Sequence, residues 1–80
     1  MTKELIQKNI KLSAELDQYI SGNPSVFRGI PAGANIIITS AGDSVLSAAN
    51  ISIAKSSRSS KLVEAHKSGG KWVFSTFKRA

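Results

Sequence analysis

Residues 61–67 read Lys61-Leu62-Val63-Glu64-Ala65-His66-Lys67, and the fold turns on how that stretch is taken. As a helix it is one or two turns capped by Ser60, with Leu62 and Ala65 three apart and Ser68-Gly69-Gly70 as the stop. As an extended segment it is the first arm of a hairpin. We read it as helix. The choice decides which strands become neighbours, because the segments on either side are less equivocal.

After it, Lys71-Trp72-Val73-Phe74-Ser75-Thr76-Phe77 is dense in aromatic and β-branched residues, with Trp72 and Phe74 facing one way and Val73 and Phe77 the other. Before it, Asp43 or Ser44 caps a helix whose Val45, Leu46, Ala49 and Ile53 share one face. Continued further, that face would present Ser56, Ser57 and Ser60, so a break is expected within Lys55–Ser60. Upstream of Asp43, residues 34–40 (Ala-Asn-Ile-Ile-Ile-Thr-Ser) form a β-branched run without alternation, which suits a strand covered on both faces. Turns are expected at Asn23-Pro24 and Pro31-Ala32-Gly33, with Val26, Phe27 and Ile30 closing one end of the core. The chain opens on an amphipathic helix over residues 3–20, capped by Thr2 with Glu4 in its first turn. Leu5, Leu12, Leu16 and Tyr19 form its apolar stripe, widened by Ile6, Ile10 and Ile20, and Gly22 stops it.

These elements make one small α/β domain, bordering on α+β, over residues 1–80 in the order α-β-α-β. Two parallel strands would be joined by a right-handed helical crossover, with the amphipathic helix at the N-terminus. Two strands alone leave an unpaired edge on each side, and neither carries an interior Pro or a Lys run to blunt it. A core of this size seldom supplies more than about 3–5 kcal/mol. The expected remedy is a homodimer in which a second copy covers one edge, or an apolar helix face, and completes the sheet.

Composition narrows the classes. The 80 residues are 41% hydrophobic and 20% charged, which suits a packed core and argues against a disordered tail. No Cys is present, so disulfides and thiolate metal sites are excluded. The longest apolar run, Ile36-Ile37-Ile38, falls far short of a membrane span, and no secretory leader is evident, so a cytoplasmic protein is expected. Eleven Lys and Arg against five Asp and Glu give a formal charge of +6, and the whole excess lies in residues 44–80. That asymmetry hints at an acidic partner, a nucleic acid or an acidic protein.

Asn9-x-x-Leu12, Glu15-Leu16-x-x-Tyr19-Ile20 and Asn23-Pro24, then Ile30-Pro31-x-Gly33-Ala34, Asp43-x-x-Leu46 and Asn50-x-x-x-Ala54, resemble a family of short uncharacterised prokaryotic proteins. The likeness covers roughly residues 9–54 and, more weakly, Gly70 to Phe74. It departs before Asp43, where acidic residues are missing, and at Ser56 to Ser68, which is longer. The resemblance implies a compact α/β fold and supplies no catalytic role.

No chemical motif overrides that silence. Gly69-Gly70-Lys71 lacks the first Gly and the Ser or Thr of a phosphate-binding loop, and a strand comes next where a helix should. His66 is the only histidine, without companions at metal-ligand spacing, and no nucleophile elbow accompanies the serines. Neither cofactor nor metal is expected. Asn9 and Ser13 interrupt the apolar arc of the first helix, and a buried amide left unpaired costs roughly 1–3 kcal/mol. Asn9 therefore either fixes neighbouring backbone or lines a pocket or subunit contact. Asn9, Tyr19 and Asn50 form the candidate polar contact set of a non-enzymatic binding or regulatory module that acts as a homodimer. The alternative is a non-specific nucleic-acid binder using Arg58, Lys61, Lys67, Lys71 and Lys78.

Overall fold

The computed structural model describes residues 2–30, 32–57 and 61–77. Pro31, Arg58, Lys78, part of the expected break at Lys55–Ser60 and the side chain of Phe27 lie outside the described residues.

The first helix, α1, spans Lys3–Gly22, and the Thr2 hydroxyl accepts from the Leu5 amide at 3.3 Å as its N-cap. Its far end is closed by Asn23, whose side-chain amide donates to the Tyr19 carbonyl. Leu16 and Ile20 are buried, with Leu12, Tyr19 and Val26 packed around them. Ile6 and Ile10 do not widen this core as expected. They lie 47% and 65% exposed, because α1 meets the sheet through a narrower stripe.

A 3₁₀ turn over Pro24–Gly29 leads toward β1 (Asn35–Ser40), which is succeeded by α2 (Ser44–Ser56), β2 (Leu62–Ser68) and β3 (Lys71–Thr76). Asp43 caps α2 by accepting from the Leu46 amide at 3.0 Å. The expected order is thus corrected at residues 61–67, which are extended. β2 is the middle strand of the sheet β1-β2-β3, parallel to β1 and antiparallel to β3. The parallel partner of β1 is therefore β2 and not the last strand. The physical reason is burial on both faces: Leu62 looks one way, Val63 and Ala65 the other, and all three are buried. A helix would have exposed one side of this segment and left β1 and β3 with no common neighbour. Gly69 and Gly70, expected to stop a helix, instead take φ of 55° and 80° and close a two-residue hairpin. Positive φ at both central positions is what such turns require.

On one face of the sheet Ile38, Ala65 and Trp72 pack against Leu16 and Ile20 of α1. On the other, Ile37 and Leu62 meet Ala54 of α2, with Phe77 against them. Trp72 and Phe74 thus point to α1, and Val73 and Phe77 point away from it, as their alternation requires.

Candidate functional site

The hydrogen-bond pattern of β1 fixes which of its main-chain groups face outward. The Asn35 amide donates to the Lys61 carbonyl and the Ala41 amide to the Lys67 carbonyl. Odd-numbered residues therefore bond to β2, and the even-numbered Ile36, Ile38 and Ser40 direct both amide and carbonyl to the free edge. α2 lies along that edge. The Ser47 hydroxyl accepts from the Ser40 amide at 2.9 Å and contacts the Ser40 and Asp43 carbonyls at 3.0 and 2.9 Å. The Asn50 amide donates to the Ile38 carbonyl at 2.8 Å. Two helix side chains thus take the place that a neighbouring strand would fill. The face of α2 turned inward is Leu46, Asn50 and Ala54, so of the expected Val45, Leu46, Ala49 and Ile53 it is Leu46 that is buried. Val45 and Ile53 are exposed.

Asn50 also joins α2 to α1. Its side-chain amide donates to Asn9 Oδ1 at 2.8 Å, and Asn9 returns a donation to Asn50 Oδ1 at 3.1 Å. Asn50 is buried, and this ring of two amides satisfies it. One turn away, Lys8 pairs with Asp43 at 2.9 Å. The Leu46 amide and the Lys8 ammonium together hold the Asp43 carboxyl below its ordinary range, and Asp43 in turn raises Lys8. Lys67 and Glu15 form a second pair between β2 and α1, and Lys67 lowers the Glu15 carboxyl.

Beyond Asn50 the edge cover stops. Strand residues on one side repeat about every 6.6 Å, and a helix rises about 1.5 Å per residue, so the next ladder step falls near Ala54. Ala54 has no polar group to offer. The amide and carbonyl of Ile36 have no hydrogen-bond partner among the described residues. A cleft of about 420 Å³ opens there, bordered by Asn9 and Ser13 of α1, Ile36 and Ile38 of β1, Ile53 of α2 and Ser57 at its C-cap. Among the described residues no charged side chain lines it.

Of the expected contact set, the structure brings Asn9 and Asn50 together and leaves Tyr19 elsewhere. The Tyr19 ring stacks on Phe74, with centroids 6.3 Å apart, in the core beneath α1. Ser13 is exposed and reaches the cleft. The described members of the basic set are spread along the length of the sheet. Lys61 donates to the Ala32 carbonyl at one end of β2, Lys67 faces Glu15 on α1, and Lys71 lies at the hairpin. Lys61 and Lys71 are separated by the length of β2, roughly 23 Å.

A polar group that sequence reasoning missed occupies the face away from α1. The buried Thr39 hydroxyl donates to Glu64 Oε2 at 2.6 Å and lies 2.7 Å from His66 Nδ1. The hydroxyl has one hydrogen, given to Glu64, so the sense of the His66 contact follows the His tautomer. Read as a strand, residues 62–68 place Glu64 and His66 on one face by period two. The helix reading hid that pairing. No group of three or more His, Asp or Glu is placed to hold a metal ion among the described residues. No helix among them is long and apolar enough to cross a membrane.

The chain belongs to a family of unknown function, DUF5647, which it matches over residues 4–79. No curated protein and no solved structure matches it significantly.

Proposed function

We propose that the protein is a non-enzymatic binding module that works as a homodimer, two copies joining along β3 and the cleft beside β1 serving as the ligand site. The observation that carries this reading is the outer edge of β3. The Phe77 amide donates to the Leu62 carbonyl, so β3 bonds to β2 through its odd-numbered residues. Trp72, Phe74 and Thr76 therefore turn their amides and carbonyls outward, with no hydrogen-bond partner among the described residues. A row of unpaired strand groups is a template for another strand, and a second copy would extend three strands to six.

Light scattering after gel filtration at two concentrations tests the assembly. A dimer is expected for the parent chain, and a monomer for Thr76→Pro, which removes one outward amide without touching the bond to β2. A parent that is monomeric throughout overturns the reading. A dimer that survives Thr76→Pro but is lost in Ile10→Lys moves the contact to the exposed aliphatic face of the helices.

A further inference from the structure

We propose that the cleft between α1, α2 and the start of β1 binds a small neutral molecule through an amide-type edge, a donor and an acceptor side by side. This rests on the reading of that cleft as the ligand site of a binding module.

Three observations converge on this ligand chemistry. The first is the bare main chain of Ile36, whose N–H and C=O point the same way from the edge, where the inward face of α2 presents Ala54. One amide group of a ligand can accept from the former and donate to the latter, as a further strand would. The second is the lining, which among the described residues supplies amides, hydroxyls and aliphatic walls and no ionised group. A phosphate or carboxylate would have to shed water there with no countercharge, and that transfer is unfavourable. The third is size. About 420 Å³ sits within the range of small-molecule sites, and Ile36 and Ile53, 39% and 55% exposed, offer apolar walls to a flat ligand. The Asn9–Asn50 ring holds the cleft open by fixing the spacing of the two helices, so the site is formed before any ligand arrives.

The same edge could be presented by a nucleobase or carboxamide, or by a polypeptide backbone, and the test separates these sources. Nicotinamide, adenine and an N-acetylated, N-methylamidated tri-alanine are titrated into the full chain while ¹H–¹⁵N spectra are recorded. The Ile36 amide resonance is expected to shift and saturate with at least one of them at about millimolar concentration. Tighter binding of the ring compounds supports the small-molecule reading, and tighter binding of the peptide overturns it in favour of a polypeptide. The charged analogues nicotinate and adenosine monophosphate are expected to bind roughly tenfold more weakly, a difference of about 1.4 kcal/mol.

Ile36→Pro removes the outward amide and leaves the ladder to β2 intact, and is expected to weaken binding by about tenfold or more. Should that variant misfold, Ser13→Trp fills the cleft from an exposed helix position and is expected to abolish the shifts with the remaining spectrum preserved. An Ile36 resonance unmoved by every neutral probe, or anionic analogues bound as well as neutral ones, overturns the inference. Mass and binding are read separately. A monomer that still binds the probes refutes the assembly alone, and a dimer with an inert cleft refutes the ligand chemistry alone.

Discussion

Along β1 the outward groups of Ser40 and the outward carbonyl of Ile38 are met by Ser47 and Asn50 of α2, whereas along β3 those of Trp72, Phe74 and Thr76 meet no partner among the described residues. Both are outer strands of one three-stranded sheet. The difference lies in the element that succeeds each strand. β1 leads into the connection that must return to start β2 in parallel, and that connection is a helix lying along the edge it has just left. β3 has no such successor in the described chain. Edge protection here comes from topology and from two well-spaced polar residues, not from charges or prolines on the strand itself.

The largest effect is expected where α2 is anchored. Leu46 is fully buried, and Leu46→Ala should cost about 2–5 kcal/mol in urea unfolding, detaching the cover of β1 along with the core. An unchanged unfolding midpoint would show that α2 is a passenger on the edge. Asn50→Ala comes next, because it removes the donor to the Ile38 carbonyl and both bonds to the Asn9 side chain, at roughly 1–3 kcal/mol. A double-mutant cycle with Asn9→Ala isolates the ring of amides, and a coupling near zero would remove it as a spacer between the helices. Ser47→Ala should cost about 1 kcal/mol, since water can reach the Ser40 groups once the hydroxyl is gone. Thr76→Pro, on the other edge, should shift stability least, within about 0.5 kcal/mol, while changing mass in solution.

Acid sharpens the same contrast. The Asp43 and Glu15 carboxyls titrate lower in the folded chain than in the unfolded one, so the unfolded chain takes up protons first. Their contribution is complete above the ordinary carboxylate range, near pH 4, and is lost as pH falls through the depressed folded values. Both pairs tie α1 to the rest of the molecule, Asp43 at the start of α2 and Lys67 on β2. Fluorescence or circular-dichroism unfolding between pH 7 and pH 3 should show falling stability, with a shallower decline in Asp43→Asn. An identical decline in that variant would assign the acid sensitivity elsewhere.

Much of this arrangement can be read from local pattern. Thr2 and Asp43 cap the helices, the isoleucine run makes β1, and the alternation of Trp72, Val73 and Phe74 makes β3. What escapes is set by contacts distant in sequence. β2 is buried on both faces and so shows no alternation, and the three-residue spacing of Leu62 and Ala65 imitates a helical turn. The Gly69-Gly70 pair is the local clue to the hairpin. Asn9 and Asn50 stand out as polar residues on apolar helix faces, yet their meeting across 41 positions depends on how α1 crosses α2. Tyr19 looks like their companion only by residue type. The Thr39–Glu64–His66 group needs the parallel register of β1 and β2, which pairs Thr39 with His66.

A sheet that can accept a newcomer on both flanks can lengthen without limit, which is the geometry of fibres. With α2 standing guard over much of one flank, any growth through this sheet would be turned to the other. The guard is also the link that sets β1 beside β2 in the same direction. The chain therefore cannot drop its guard without loosening that pairing, and resistance to runaway stacking is inherited with the connection itself.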